Sequence, residues 1–201
     1  MVTTYSVIAL LAVLVQLVVL VVLHLLPTGY NPVRDAISDY GVGRYRSYFA
    51  AQVWGGALAC AAVALALSQL HPYKPTFVIV ALLVNAAARA AMPAFPTDQS
   101  GSRFQTAKGI IHMVLAIVAF AGVAAAASSL SGLLNHYHDW HNASSLLQTL
   151  GWLVLVGAIA TAVALVGPRL KKIFGLIERL FTLSVIAWLC VMAIELIRFA
   201  R

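Results

Sequence analysis

The stretch YSVIALLAVLVQLVVLVVLHLL, Tyr5 to Leu26, carries no formal charge and breaks its apolar run only at Tyr5, Ser6, Gln16 and His24. Wound as an α-helix at about 1.5 Å per residue, a run of this length covers about 33 Å, enough to cross about 30 Å of hydrocarbon. It shows no alternation of polar and apolar residues, as a membrane-barrel strand would. Working outward, five more runs of the same kind follow, so the spans are read as roughly 5–26, 48–69, 75–94, 107–131, 146–166 and 178–199. The expected fold is all-α: a polytopic transmembrane helical bundle of about six spans, forming a single transmembrane domain over 1–201.

Composition agrees. Hydrophobic residues make up 62% of the chain and charged residues 9%. A soluble domain of this size has no interior large enough for so much apolar surface. The net charge of +7 is scattered over short loops, without the basic stripe and interleaved aromatics that would track phosphates, so no nucleic-acid partner is expected. Membrane lipids are the expected partners, and oligomerisation is permitted without being specified. Cys60 and Cys190 lie inside apolar runs and read as small packing residues. Met1 to Ser6 lacks a basic segment and no small-residue cleavage site follows, so the first run is expected to stay as an anchor.

Punctuation divides the runs. Pro27 and Gly29 stop the first, Pro72 and Pro75 separate the second from the third, Phe95-Pro96 closes the third and Gly167-Pro168 the fifth. Ser144 or Ser145 is a candidate cap for the fifth helix. Gly56, Cys60 and Ala64, four apart, are expected to permit close helix approach. Six spans put both termini on one side. Arg34, Arg44, Arg46, Arg103, Lys108, Arg169, Lys171, Lys172 and Arg179 flank loops one, three and five, against Lys74, Arg198 and Arg201 opposite. Nine against three, with the intramembrane Arg89 left out, places loops one, three and five in the cytoplasm of a plasma or bacterial inner membrane.

That same face collects the polar residues. Loop one contains Arg34, Asp35, Ser38, Asp39 and Tyr40; loop three contains Asp98; His24 ends the first span, Arg89 lies inside the third, His112 one turn into the fourth, and Glu178 begins the sixth. An ionisable group within a bilayer costs roughly 2.5–3.5 kcal/mol on insertion scales and needs a partner. Arg89 is therefore expected to pair with Asp35, Asp39 or Asp98, drawing loops one and three onto the helix ends. Asp39 or Asp98 equally suits a helix cap, and the whole cluster a polar latch that fixes the bundle.

Ile37-Ser38-Asp39-Tyr40-Gly41 after the first span, Phe95-Pro96-Thr97-Asp98 after the third, and Gly109 with His112 opening the fourth are motifs that carry a resemblance. In their order and span number the chain resembles the membrane-protein family catalogued as domain of unknown function 998. The resemblance implies a six-span bundle and brings no established reaction.

Two functional readings arise from the residues. In the first, Arg34, Asp35, Ser38, Asp39, Tyr40, Arg89, Asp98 and His112 form a site that binds an anionic lipid or other amphipathic ligand, with guanidinium groups on the headgroup and apolar helices around the chains. In the second, His24, His112 and the nearby carboxylates hold zinc for an intramembrane lipid hydrolase. This chain lacks a second His one turn after His112, which such hydrolases carry. His24 and His112 also make a weaker candidate pair for haem. At the opposite face His136, His138 and His141 form a dense cluster of metal-ligating types, beside Tyr137 and Trp140, which suit an interfacial aromatic belt. Glu195 and Arg198 are spaced to pair locally. No phosphate-binding loop, dinucleotide fingerprint, nucleophile elbow or HExxH motif occurs, so no cofactor is expected and the sequence leaves enzymatic activity open.

Overall fold

Each apolar run forms a helix, and three of the six stop at a proline or glycine: the first at Pro27, the third at Pro93 and the fifth at Gly167-Pro168. In the computed structural model, which describes residues 1–98, 106–130, 134 and 141–200, α1 covers Val2–Leu25, α2 Arg46–Ser68 and α3 Thr76–Ala91. They are followed by α4 at Ala107–Ser128, α5 at His141–Val166 and α6 at Phe174–Phe199. There is no strand among the described residues. All six are long and apolar enough to cross a membrane, counting the short Met92–Ala94 turn that prolongs α3.

The terminators act locally. Leu26, before Pro27, turns out of the helix at φ −74° and ψ 146°, because the proline ring disfavours helical geometry in the residue it follows. Pro93 tightens the end of α3 into the 3-10 turn Met92–Ala94, so this helix closes a few residues before the expected Phe95-Pro96. At the start of α4, the Thr106 hydroxyl accepts the Gly109 amide at 3.0 Å, satisfying one of the orphan donors of a helix N-terminus. The expected cap of the fifth helix does not hold: α5 begins at His141, so Ser144 and Ser145 lie within it.

Every helix packs against its neighbours in the chain, and α6 returns to α1, closing a ring; α6 also crosses to α2. Those two helices are the most enclosed, with 61% of the α2 span and 56% of the α6 span buried, against 22% for α5. Lipid-facing positions carry large apolar side chains such as Val18, Val80, Ile117 and Ile159. A bundle of this kind needs no exposed backbone in hydrocarbon, since between its end turns each helix bonds its peptide groups within its own span. The chain is a multi-pass membrane protein. The ends of the bundle alternate, so loops one, three and five share one end, where the candidate residues lie.

Candidate functional site

Loop one does fold back onto the helix ends, but its anchor is α6 and not Arg89. The Leu176 amide donates to the Val33 carbonyl at 2.9 Å, and the Ile37 amide donates to Glu178 Oε2 at 2.7 Å. Gly175 is required by this approach: a Cβ there would overlap the carbonyl oxygens of Asp35 and Pro32.

Arg179, the residue after Glu178 on α6, ties the assembly together. It is 7% exposed, and its Nε donates to His24 Nε2 at 2.6 Å. Nη1 donates to the Asp35 and Gly175 carbonyls at 2.8 and 2.9 Å, and Nη2 to the Tyr40 hydroxyl at 3.2 Å. Because His24 Nε2 accepts from a guanidinium, its proton sits on Nδ1, which donates to the Leu20 carbonyl at 2.6 Å. Both ring nitrogens are thereby engaged, which leaves His24 without a lone pair for zinc or haem.

Loop one carries its own internal bonds. The Asp39 carboxylate accepts the Ala36 amide at 2.8 Å and caps the 3-10 turn Ile37–Gly41. Asp35 accepts from Arg34 Nε at 3.0 Å and from the Asn31 amide at 2.8 Å. Burial pushes the Asp35 carboxyl up, yet the hydrogen bond from Arg34, the Asn31 amide and the charges of Arg34 and Arg179 outweigh it, so its pKa lies below the ordinary carboxylate value. Arg34 itself points outward with 67% of its side chain exposed, a geometry in which an ion pair contributes little. Tyr30 packs edge-on to Tyr40 at 5.5 Å, and burial, followed by the charges of Asp39 and Asp35, raises its pKa.

Beneath the Ile37–Gly41 turn lies a cavity of about 70 Å³. Ser38 lines its roof; Gln52 of α2, Arg89 of α3, His112 of α4, and Glu178 and Thr182 of α6 line its walls. Gln52 and His112 are each 2% exposed. His112 Nδ1 donates to the Phe95 carbonyl at 2.7 Å, which fixes the orientation of the ring.

Arg89 does not make the expected pair. Its Nε donates to the Val53 carbonyl at 3.4 Å, and no carboxylate among the described residues lies within 4.0 Å of it. The guanidinium rests over Gly56, where any Cβ would overlap it. Within the small-residue stripe Gly56 makes room for a side chain, while Cys60 and Ala64 are fully buried and neighbouring Gly55 takes the close approach of the α1 backbone at the Ala12 carbonyl. The physical reason for the unmade pair lies in the chain path: Asp35 is held at the α6 side, and Asp98 belongs to α4. Asp98 accepts from the Thr106 hydroxyl at 2.6 Å and its amide at 3.2 Å, sitting over the positive end of the helix.

The eight candidate ligand residues thus divide. Ser38, Arg89 and His112 share the cavity; Asp35 and Tyr40 join Arg179 and His24 beside it; Asp39 caps the roof turn; Asp98 caps α4; Arg34 faces out. Sequence reasoning placed Glu178 at this face, missed Gln52 and Thr182 as cavity residues, and took Arg179 for a topology signal. Among the described residues no three His, Cys, Asp or Glu side chains come together to hold a metal ion, so the zinc set is not assembled there. His136, His138 and Arg103 lie outside the described residues, as does the side chain of His141. At the far end, Arg198 Nη1 meets Glu195 Oε1 at 2.6 Å, the expected local pair.

No curated protein and no solved structure was found to match the chain. A family does match, over residues 10–195, and its description is protein of unknown function DUF998. With that match spanning all six helices, the chain belongs to the DUF998 family.

Proposed function

We propose that this protein binds an amphipathic molecule whose anionic group sits against Arg89 in the cavity under loop one. The observation that carries this reading is the state of Arg89: a guanidinium inside a span, facing a cavity, with only one long bond to a backbone carbonyl and no described carboxylate within 4.0 Å. A cation in the last turn of a membrane span, with no carboxylate within 4.0 Å among the described residues, is supplied for something that is brought to it. Guanidinium presents a planar fork of donors that matches phosphate and carboxylate. The rest of the lining refines the choice. Gln52 and Thr182 offer hydrogen-bonding groups of either sense, and His112 adds its Nε2. Glu178, held by the Ile37 amide, suits a head that also carries a hydroxyl or amine donor. About 70 Å³ admits one small polar group or a few waters.

Native mass spectrometry tests this on protein in neutral-detergent micelles, offered anionic and zwitterionic lipids. Wild type is expected to retain an anionic lipid, Arg89→Lys to retain it more weakly, and Arg89→Gln to lose it at least ten-fold. Equal retention by wild type and Arg89→Gln overturns the reading and leaves Arg89 as a hydrated structural cation.

The setting belongs to the same proposal. The chain folds as a single transmembrane domain in a plasma or bacterial inner membrane, with loops one, three and five, and hence the site, on the cytoplasmic side. Its basis is the distribution of Lys and Arg, eight to three once the buried Arg179 is set aside. In a protein carrying Cys60→Ala, Cys190→Ala and Arg44→Cys, labelling by a membrane-impermeant maleimide is expected in inside-out vesicles and not in intact cells.

A further inference from the structure

Across Met113, Ala116 and Phe120 from the Arg89 cavity lies a second space, an apolar groove of about 590 Å³ between α4 and α5. Those three residues line both spaces, so they form a seam between a polar interior and a hydrocarbon-like exterior. Phe120 is held there edge-on to Phe181, with ring centroids 4.7 Å apart. Thr161 adds a hydroxyl to the groove, and it is already bonded to the Gly157 carbonyl at 2.8 Å. Ile117 and Ile159 on its walls are 56% and 55% exposed, so the groove opens to the bilayer. On α5 the lining runs from Leu155 to Val166, at the loop-five end of the helix. Eleven rises of about 1.5 Å make about 16 Å. That is half of the about 30 Å hydrocarbon core, the depth of one leaflet's acyl chain.

We infer that the groove holds the single acyl chain of the amphiphile whose anionic head reaches Arg89, and that the molecule passes from the bilayer sideways between α4 and α5. This rests on the reading of the Arg89 cavity as an anion site. Charge and polarity are complementary along the path: a half-buried cation at one end, apolar walls at the other, and Met113, Ala116 and Phe120 between them. The volume falls within the about 300–1,000 Å³ of small-molecule sites. The head cavity is too small for a glycerol carrying a second chain, so a single-chain amphiphile is the occupant.

Photo-crosslinking tests this with hexadecyl phosphate bearing a mid-chain diazirine, in nanodiscs of dioleoylphosphatidylcholine. Adducts are expected on Ile117 and Ile159 and are competed by excess unlabelled hexadecyl phosphate. Ala162→Phe fills the groove from a lipid-exposed position, and Arg89→Gln removes the anchor; each is expected to lower competable labelling at least ten-fold. Loss with Arg89→Gln but not with Ala162→Phe overturns the groove and leaves the anion site standing. Competable labelling that persists in Arg89→Gln overturns the anion site and this inference with it. Should a variant fail to fold, wild type decides alone: labelling spread evenly over the lipid-facing belt at Val18 and Val80, and not competed, overturns the groove.

Discussion

Replacing Arg179 with methionine removes the knot that holds loop one on α6. Three long-range bonds disappear: to His24 Nε2 at 2.6 Å, to the Asp35 carbonyl at 2.8 Å and to the Tyr40 hydroxyl at 3.2 Å. Hydrogen bonds to charged groups contribute about 1.5–3 kcal/mol each, and three at the lower end come to about 4.5 kcal/mol. Two effects reduce that figure. The variant no longer desolvates a buried cation, and bonds within one network do not add independently. The expected loss is about 3 kcal/mol, with Arg179→Lys intermediate because one ammonium cannot reach three acceptors in different directions. Reversible unfolding in mixed dodecyl-sulfate micelles reads the stability, and hydrogen exchange at the Ile37 and Leu176 amides reads the loop. Both amides are bonded between loop one and α6, so their exchange should accelerate at least ten-fold. A variant within about 0.5 kcal/mol of wild type, with unchanged exchange, would refute the assignment of Arg179 as the tie.

Gly56→Ala places a methyl group where the Arg89 guanidinium rests, at the flexible end of that side chain, so the fold should survive while Arg89 moves and anionic-lipid retention in native mass spectrometry falls. Gly175→Ala meets backbone carbonyls of Pro32 and Asp35, which cannot swing aside; a loss of about 1–3 kcal/mol is expected in the same unfolding assay. The pKa of Asp35 is depressed in the folded protein, so its contribution is fully present above its unfolded value and disappears as pH falls through the lower, folded one. An acid titration of stability should therefore lose part of its low-pH slope in Asp35→Asn, and an unchanged slope would count against the Arg34 and Asn31 contacts as its cause.

The helices were legible because hydropathy is a local property: twenty apolar residues announce a span wherever the rest of the chain goes. Their ends were legible where proline decides them, as at Leu26-Pro27, and less so at α3, where Pro93 acts before Phe95-Pro96. That loop one covers the helix tips also followed from energetics, yet the wrong arginine was given the part. Partner choice is a property of space, not of sequence, and Asp35, Asp39 and Asp98 all had local backbone amides or hydroxyls to bind. Arg179 was masked by Lys171 and Lys172, whose positive charge reads as topology. The available signal was Glu178-Arg179 at the head of an apolar run, two ionisable groups entering a span together. Gln52 carried the same kind of signal, a lone amide within α2, buried at 2% exposure. What periodicity cannot convey is that loop one, α2, α3, α4 and α6 all contribute to one cavity, because that requires the order of helices around the ring.

A map of the wild-type protein in lipid nanodiscs, at a resolution that shows side chains, tests the central claim most directly. The account predicts non-protein density against the Arg89 guanidinium, at hydrogen-bonding distance and larger than a water molecule. A cavity holding water alone, or an Arg89 side chain swung onto Glu178 to form an ion pair, would contradict it.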